Sequence, residues 1–183
     1  SADPGLVGVR VVVDPDPTCG ACGSCRAGRP ATCSNIVALG IFRDGALASH
    51  VVAPAAVCHP IAEHVPAEIA AMVEPLACVI NGTQRAATRP GEAAIVFGVG
   101  AIGCLFTAVL RASGAHPVIV VEPRPERAPV ARTLGATAVV TPEELVSRRD
   151  ELLPHGADVV VDAVGSVLAP AIDIAAQSGR LVV

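Results

Sequence analysis

Two groups of residues in this 183-residue chain have types and spacings that can do chemistry. The first is Cys19, Cys22, Cys25 and Cys33, a C-x2-C-x2-C-x7-C series with Gly20, Gly23 and Gly28 interleaved. That spacing lets a short loop curl four thiolates around one tetrahedral ion, for which zinc is the favoured metal. Four thiolates leave no open coordination position, so the ion is expected to hold a loop in place and do no chemistry. Two other uses compete. Paired disulfides are disfavoured by the lack of a secretory signal in this stretch, and a redox CxxC would not need four cysteines so regularly placed. Cys58, Cys78 and Cys104 stand singly in apolar surroundings and read as small core residues.

The second group is Gly98, Val99, Gly100, Ala101, Ile102 and Gly103, a GxGxxG series. Its first glycine suits a tight turn, its second lets backbone approach a pyrophosphate, and its third lets a following helix pack on the strand. The context fits: an apolar run over 93–97 precedes it, and Ile102, Leu105, Phe106, Val109 and Leu110 follow at helical spacing, with Gly114 to stop the helix. The helix N-terminus would turn unpaired N–H groups toward phosphates. Val118–Val121 reads as the next strand and ends in Glu122, nineteen positions after Gly103, where a ribose-binding acid is expected. A carboxylate there favours NAD over NADP, because a 2′-phosphate would meet a negative charge. Arg124 and Arg127 pull the other way. Arg124 lies between Pro123 and Pro125, which restrict its swing, while Arg127 falls in the first turn of the next helix and can stack on adenine.

A third candidate is Glu74, an acid inside the apolar run MVEPLACVINGTQRA. Either it forms a salt bridge, for which Arg85 and Arg89 are available, or it is aimed at a metal or its bound water. His50, His59 and His64 have no partner at metal-ligand spacing and read as surface or satisfied histidines.

Around these residues the pattern is α/β. Strands are predicted at 93–97, 118–121, 138–140, 158–161 and 181–183, alternating with helices as in a doubly wound Rossmann sheet. Thr141, Pro142 and Glu144 form a capping-box start, Pro129 makes its helix start late or kink, and 168–177 reads as a helix stopped by Gly179. Upstream, 9–13 and 46–52 read as strands, and 66–69 starts a helix that Pro75 interrupts. The expected division is a β-rich part over 1–64 carrying the cysteine lobe at 19–33, a linking helix region over 65–90, and a nucleotide-binding domain over 91–183. Five strands are one short of a complete six-stranded fold, and with an opening Ser1 and a strand-like close they suggest a fragment.

Composition narrows the partners. Net charge is −4, Trp and Tyr are absent and Phe numbers three, so basic patches and stacking platforms for nucleic acid are missing. No apolar run reaches the roughly eighteen residues of a membrane span. No membrane or nucleic-acid partner is expected, and a cytoplasmic location is the default. All thirteen basic residues are Arg, which reads as compositional bias and carries no chemistry.

The whole constellation resembles the zinc-dependent medium-chain dehydrogenase/reductase superfamily of alcohol, polyol and threonine dehydrogenases. The cysteine lobe resembles its structural zinc site, and DGALASHVVAP over 44–54 is similar to the strand after it. VEPLACV over 73–79 is similar to the polyol-type linking helix, and GVGAIG resembles the opening of the coenzyme domain. The resemblance implies a GroES-like catalytic domain before the Rossmann domain, and it puts Glu74 beside a catalytic zinc as ligand or as acceptor for its water. It implies that zinc lowers the pKa of a secondary alcohol or polyol while a nicotinamide accepts hydride. It further implies a homodimer or homotetramer, with the remaining catalytic ligands in an N-terminal segment that this chain does not contain, so the fragment alone is not expected to be active. A reductase of the same superfamily without catalytic zinc, and a non-catalytic nucleotide-binding protein with a structural zinc, are the alternatives.

Overall fold

The computed structural model describes residues 3–183, and the chain divides into two compact units, Ser1–Glu74 and Pro75–Val183. In the first unit a short strand β1 (Val11–Val13) is followed by one helical turn, α1 (Gly23–Arg26), inside the cysteine lobe. Strand β2 (Cys58–Pro60) pairs antiparallel with β1, Val12 opposite His59. Arg10 Nη1 donates to the carbonyls of Glu63 and Val65, both at 2.9 Å, and ties the strand to the segment leading into helix α2 (Ala67–Ala70). Little is buried here beyond Cys33, Ala38 and Ala70.

Three expectations for this unit change. The first strand is only 11–13. The segment 46–52 is irregular, because no described strand runs alongside to complete its backbone hydrogen bonds, and Leu47 and Val52 stand exposed. The helix begun at 67 ends by Ala71, and a new one, α3 (Val73–Arg85), begins before Pro75. Pro75 therefore sits in the first turn of α3, where its missing N–H costs nothing.

The second unit is a five-stranded parallel sheet. Its strands are β3 (Ala94–Phe97), β4 (Val118–Val121), β5 (Ala138–Val140), β6 (Ala157–Asp162) and β7 (Ala175–Val182), in the spatial order β5-β4-β3-β6-β7. Strands β3 and β4 are buried on both faces, as their unbroken apolar runs require. Alternation assigns the faces. Ala94, Val96, Val118, Val120, Val159 and Val161 join one core, whereas Ile95, Phe97, Ile119, Val121 and Val160 join the other.

Helices cover both layers. Phe106 and Leu110 of α4 (Ala101–Ala112) and Ala131 of α5 (Ala128–Thr133) fill the first, together with Val79 of α3. Leu145 of α6 (Pro142–Leu152) and Ala171 and Ile174 of α7 (Leu168–Ile174) fill the second. Burying each of the larger side chains among these, Val79, Phe106, Leu110, Leu145 and Ile174, contributes roughly 1.5–3 kcal/mol. The capping box at Thr141 and Glu144 forms in both directions, at 2.8 and 3.2 Å. Pro129 delays its helix: a 3-10 turn over Pro125–Arg127 precedes α5, with Pro129 in its first turn.

The last helix is shorter than its sequence pattern suggests. It ends at Ile174, and 175–182 becomes β7, so Gly179 stops no helix and lies within a strand. The register shifts between Ala157, opposite Ala175, and Val159, opposite Arg180. Backbone crowds into that bulge, where a Cβ on Gly179 would stand 2.8 Å from the Ala157 carbonyl oxygen. Among the described residues no helix is long and apolar enough to cross a membrane.

Candidate functional site at the strand ends

The carboxyl ends of β4, β3 and β6 lie side by side, with Phe97 in register with Val121 on one side and Asp162 on the other. The glycine turn leaves the middle strand at this point. Gly98 has φ of +97°, a conformation that side-chain-bearing residues rarely adopt. A Cβ on Gly103 would fall 2.0 Å from the Gly98 carbonyl oxygen, so only glycine lets α4 start this close to the turn. Gly100 differs. It has extended backbone, and a Cβ there would meet nothing within 4 Å. Its side of the turn is open, and no side chain caps the N-terminus of α4.

Glu122 leaves the end of β4 and is buried, only 4% exposed. Its Oε2 accepts the Val99 N–H at 2.9 Å, and its Oε1 accepts the Arg124 backbone N–H at 3.1 Å and Nε at 3.2 Å. Burial pushes this carboxyl up, but the Val99 and Arg124 donors together outweigh it and hold it below the ordinary glutamate value. The flanking prolines do not keep Arg124 away: the guanidinium folds back over two residues onto the acid. Arg127 Nη1 lies 4.0 Å from Oε2 and belongs to the 3-10 turn, one step before the helix in which the sequence suggested it.

Asp162 is a buried strand-end carboxylate that motif reading missed. It ends β6, is 7% exposed, and accepts three backbone N–H groups: Val164 at 2.9 Å and Gly165 at 2.7 Å on Oδ1, and Val167 at 3.2 Å on Oδ2. The available signal was a strand-ending Asp three residues before a glycine, the composition of an Asx-type turn. A cleft of about 630 Å³ lies beside the strand ends, between α3, α4 and the ends of β6 and β7. It shares only Ile102 and Asp162 with the residues above. We place the site at the strand ends because the open glycine turn and the two carboxylates converge there.

In the first unit, Cys19, Cys22, Cys25 and Cys33 come together with all four sulfurs within 4.8 Å of one another. The Sγ atoms of Cys22 and Cys33 stand 3.9 Å apart, and those of Cys33 and Cys19 3.6 Å. Four sulfurs around one zinc at about 2.3 Å would be about 3.8 Å apart, so the donor set fits the ion. Backbone N–H groups of Cys22 and Asn35 point at the Cys19 and Cys33 sulfurs, at 3.3 and 3.4 Å, as suits thiolates. The N–H groups of Cys25 and Ser34 pull the Cys22 thiol down to about 5, while burial and the neighbouring Cys22 thiol push Cys25 up to about 12. None of the seven cysteines is in a disulfide.

Glu74 lies in the first turn of α3 and is exposed, as are His50, His59 and His64. Cys78 on α3 is also exposed and lines the cleft beside the strand ends, whereas Cys58 and Cys104 are half-buried. Among the described residues the cysteine cluster is the sole group of three or more side chains arranged to hold a metal.

This arrangement matches known proteins along nearly its whole length. Residues 3–63 match the alcohol dehydrogenase GroES-like domain, and residues 101–183 match the zinc-binding dehydrogenase family. The chain is 38% identical over 162 residues to D-altritol 5-dehydrogenase of Agrobacterium fabrum, covering 86% of this chain and 47% of that one. It is 34% identical over 170 residues to D-xylulose reductase A of Aspergillus oryzae, covering 87% and 47%. Among solved structures, the short chain alcohol dehydrogenase of E. coli CFT073 in complex with NADH superposes with a TM-score of 0.89 at 28% identity, covering 99% of this chain and 55% of that one. A structure from Sinorhizobium meliloti 1021 bound to NADP superposes at 0.86 with 32% identity, covering 94% and 53%. The chain belongs to the zinc-dependent medium-chain dehydrogenase/reductase superfamily, with a GroES-like part followed by a Rossmann-like part. It spans about half the length of the curated relatives it matches.

Proposed function

We propose that the full protein is a zinc-dependent dehydrogenase that transfers hydride between a secondary alcohol or polyol and a nicotinamide cofactor, with NAD favoured over NADP. The observation that carries this reading is the strand-end constellation: an open glycine turn, an uncapped helix N-terminus and a buried carboxylate at the end of the next strand. Its polyol direction rests on likeness to D-altritol 5-dehydrogenase and D-xylulose reductase A.

In this reading Gly98, Val99, Gly100, Ala101, Ile102 and Gly103 form the pyrophosphate turn, with N–H groups at the start of α4 facing the phosphates. Glu122 accepts ribose hydroxyls, and Arg127 flanks the adenine. Cys19, Cys22, Cys25 and Cys33 hold a structural zinc. The nicotinamide, when bound, supplies hydride acceptance, and a catalytic zinc supplies Lewis acidity. Toward that second ion the chain offers one residue, Glu74. The described residues do not complete a second set of ligands around it.

The division into 1–64, 65–90 and 91–183, a cytoplasmic location and a homodimeric or homotetrameric assembly are part of the same proposal. The test is a polyol oxidation assay on the full-length protein. Activity with NAD should vanish on verified zinc removal, and Glu74→Ala should lower turnover by at least tenfold, on the order of the loss seen when a metal site's supporting carboxylate is removed. Unchanged turnover after complete zinc removal would defeat the reading.

A further inference from the structure

The first and last cysteines of the lobe meet the same residue. Asn35, two positions after the last cysteine, donates its backbone N–H to Cys33 Sγ at 3.4 Å and its side-chain Nδ2 to Cys19 Sγ at 3.5 Å. Cys33 is the buried member of the four cysteines and Cys19 the exposed one. The bond from Asn35 to Cys19 spans 16 positions, so the segment leaving the lobe folds back on the segment that enters it. Cys19 also receives the Cys22 N–H at 3.3 Å, and Cys33 the Cys19 N–H at 3.5 Å. Of these four donors the Asn35 amide is the one carried by a side chain, and so the one a substitution can remove without touching the backbone. A thiolate only accepts, which is why the amide presents its nitrogen and not its oxygen to Cys19.

Four thiolates outweigh one divalent ion in charge, and each sulfur sheds part of the surplus onto the N–H groups that face it. Cys33 is shielded by the lobe itself, whereas Cys19 stands where water, protons and competing ligands arrive first. Loss of the metal therefore begins at Cys19, and a donor on that sulfur opposes it. We propose that Asn35 is a positioning residue for the structural zinc: its amide holds the exposed Cys19 thiolate on the ion and sets how slowly the lobe gives up its metal. This rests on the structural-zinc reading above and adds to it a residue that the cysteine spacing does not contain. The backbone bond to Cys33 fixes where residue 35 lies, and the side chain then has only to reach across to the opposite ligand.

The test is made on the zinc-loaded chain by adding excess pyridylazoresorcinol and following zinc release by the colour of its complex. Asn35→Asp keeps the shape of the side chain and the bond to Cys33, but it faces the Cys19 thiolate with an acceptor of like charge. It should release zinc on the order of tenfold faster, the low end for a residue that supports a metal ligand, because this bond lies at the surface. Asn35→Ala removes the donor without adding charge and should speed release by a smaller factor, which keeps the test open if Asn35→Asp does not load with metal. In the cobalt-substituted chain the sulfur-to-cobalt charge-transfer bands should move to longer wavelength in both variants, since a thiolate without its donor gives up electron density more readily. A residue that only shaped the loop would leave those bands in place. Unchanged release rates, or faster release with unmoved bands, would overturn the proposal. Failure of the unaltered chain to bind zinc would instead remove the structural-zinc reading, and this inference with it.

Discussion

Val99 N–H donates to Glu122 Oε2 at 2.9 Å, a buried bond joining residues 23 positions apart. The acid assigned to a ribose is therefore also a structural part of the glycine turn. Its Oε1 already accepts two bonds from Arg124, which leaves Oε2 as the atom with capacity to spare. Arg124 and Arg127 reduce the repulsion a 2′-phosphate would meet without removing the carboxylate. Cofactor choice and turn stability should consequently change together.

Glu122→Gln is expected to weaken NADH binding and to narrow the preference over NADPH, because the charge opposing a 2′-phosphate is gone while Arg124 and Arg127 remain. Titration with each cofactor measures both effects. A wild-type protein with higher kcat/KM for NADP would show that the arginines already prevail.

The glycines of the turn should behave differently from one another. Gly103→Ala drives a methyl group into the Gly98 carbonyl and should cost roughly 3 kcal/mol or more. Gly100→Ala has space and allowed backbone, so its cost should be about 1 kcal/mol or less, the usual loss for alanine at a helix N-cap. Its NADH affinity should nevertheless fall, since the methyl group occupies the side open to phosphate. Thermal denaturation and NADH titration on both variants separate the two effects; equal stabilities would contradict the structure.

One zinc per chain is expected, lost on Cys22→Ser or strong chelation. Because metal binding offsets the chain entropy of this lobe, residues 19–33 should lose amide protection on removal. The parallel sheet of the second unit should keep its protection. Metal analysis with hydrogen exchange checks it, and a metal-free, reduced lobe that stayed ordered would count against the ion.

Arg180 on β7 donates through Nε to the Ala86 carbonyl at 2.8 Å and through Nη2 to Glu92, so it fastens the end of α3 to the sheet edge. The Arg180 hydrogen bond holds the Glu92 carboxyl below its ordinary value of 4.5. A carboxyl more acidic in the folded state favours folding above 4.5, and that contribution fades as pH falls from 4.5 through the lower folded pKa. Arg180→Ala should cost about 2 kcal/mol at neutral pH, and less on the acid side of this window. Urea unfolding at the two pH values measures it; an equal cost at both would show that the ion pair adds nothing.

Motif spacing alone determined the chemistry-bearing groups here. The cysteine series, the GxGxxG turn and Glu122 nineteen residues beyond Gly103 are local patterns, and continuous apolar runs marked three of the five strands because both of their faces are covered. Tertiary structure decided what depends on neighbours distant in sequence. Residues 175–177 read as the end of a helix that Gly179 stops, but pairing with β6 draws 175–182 into a bulged strand around Gly179. The segment 46–52 alternates like a strand, yet forms none among the described residues, because a strand exists only beside a partner. Arg124 seemed held off by its prolines, yet it closes on a carboxylate whose burial raises the value of any cation within reach. Asp162 was invisible because its acceptors serve backbone groups of an irregular loop, and only the fold brings that loop against Gly98.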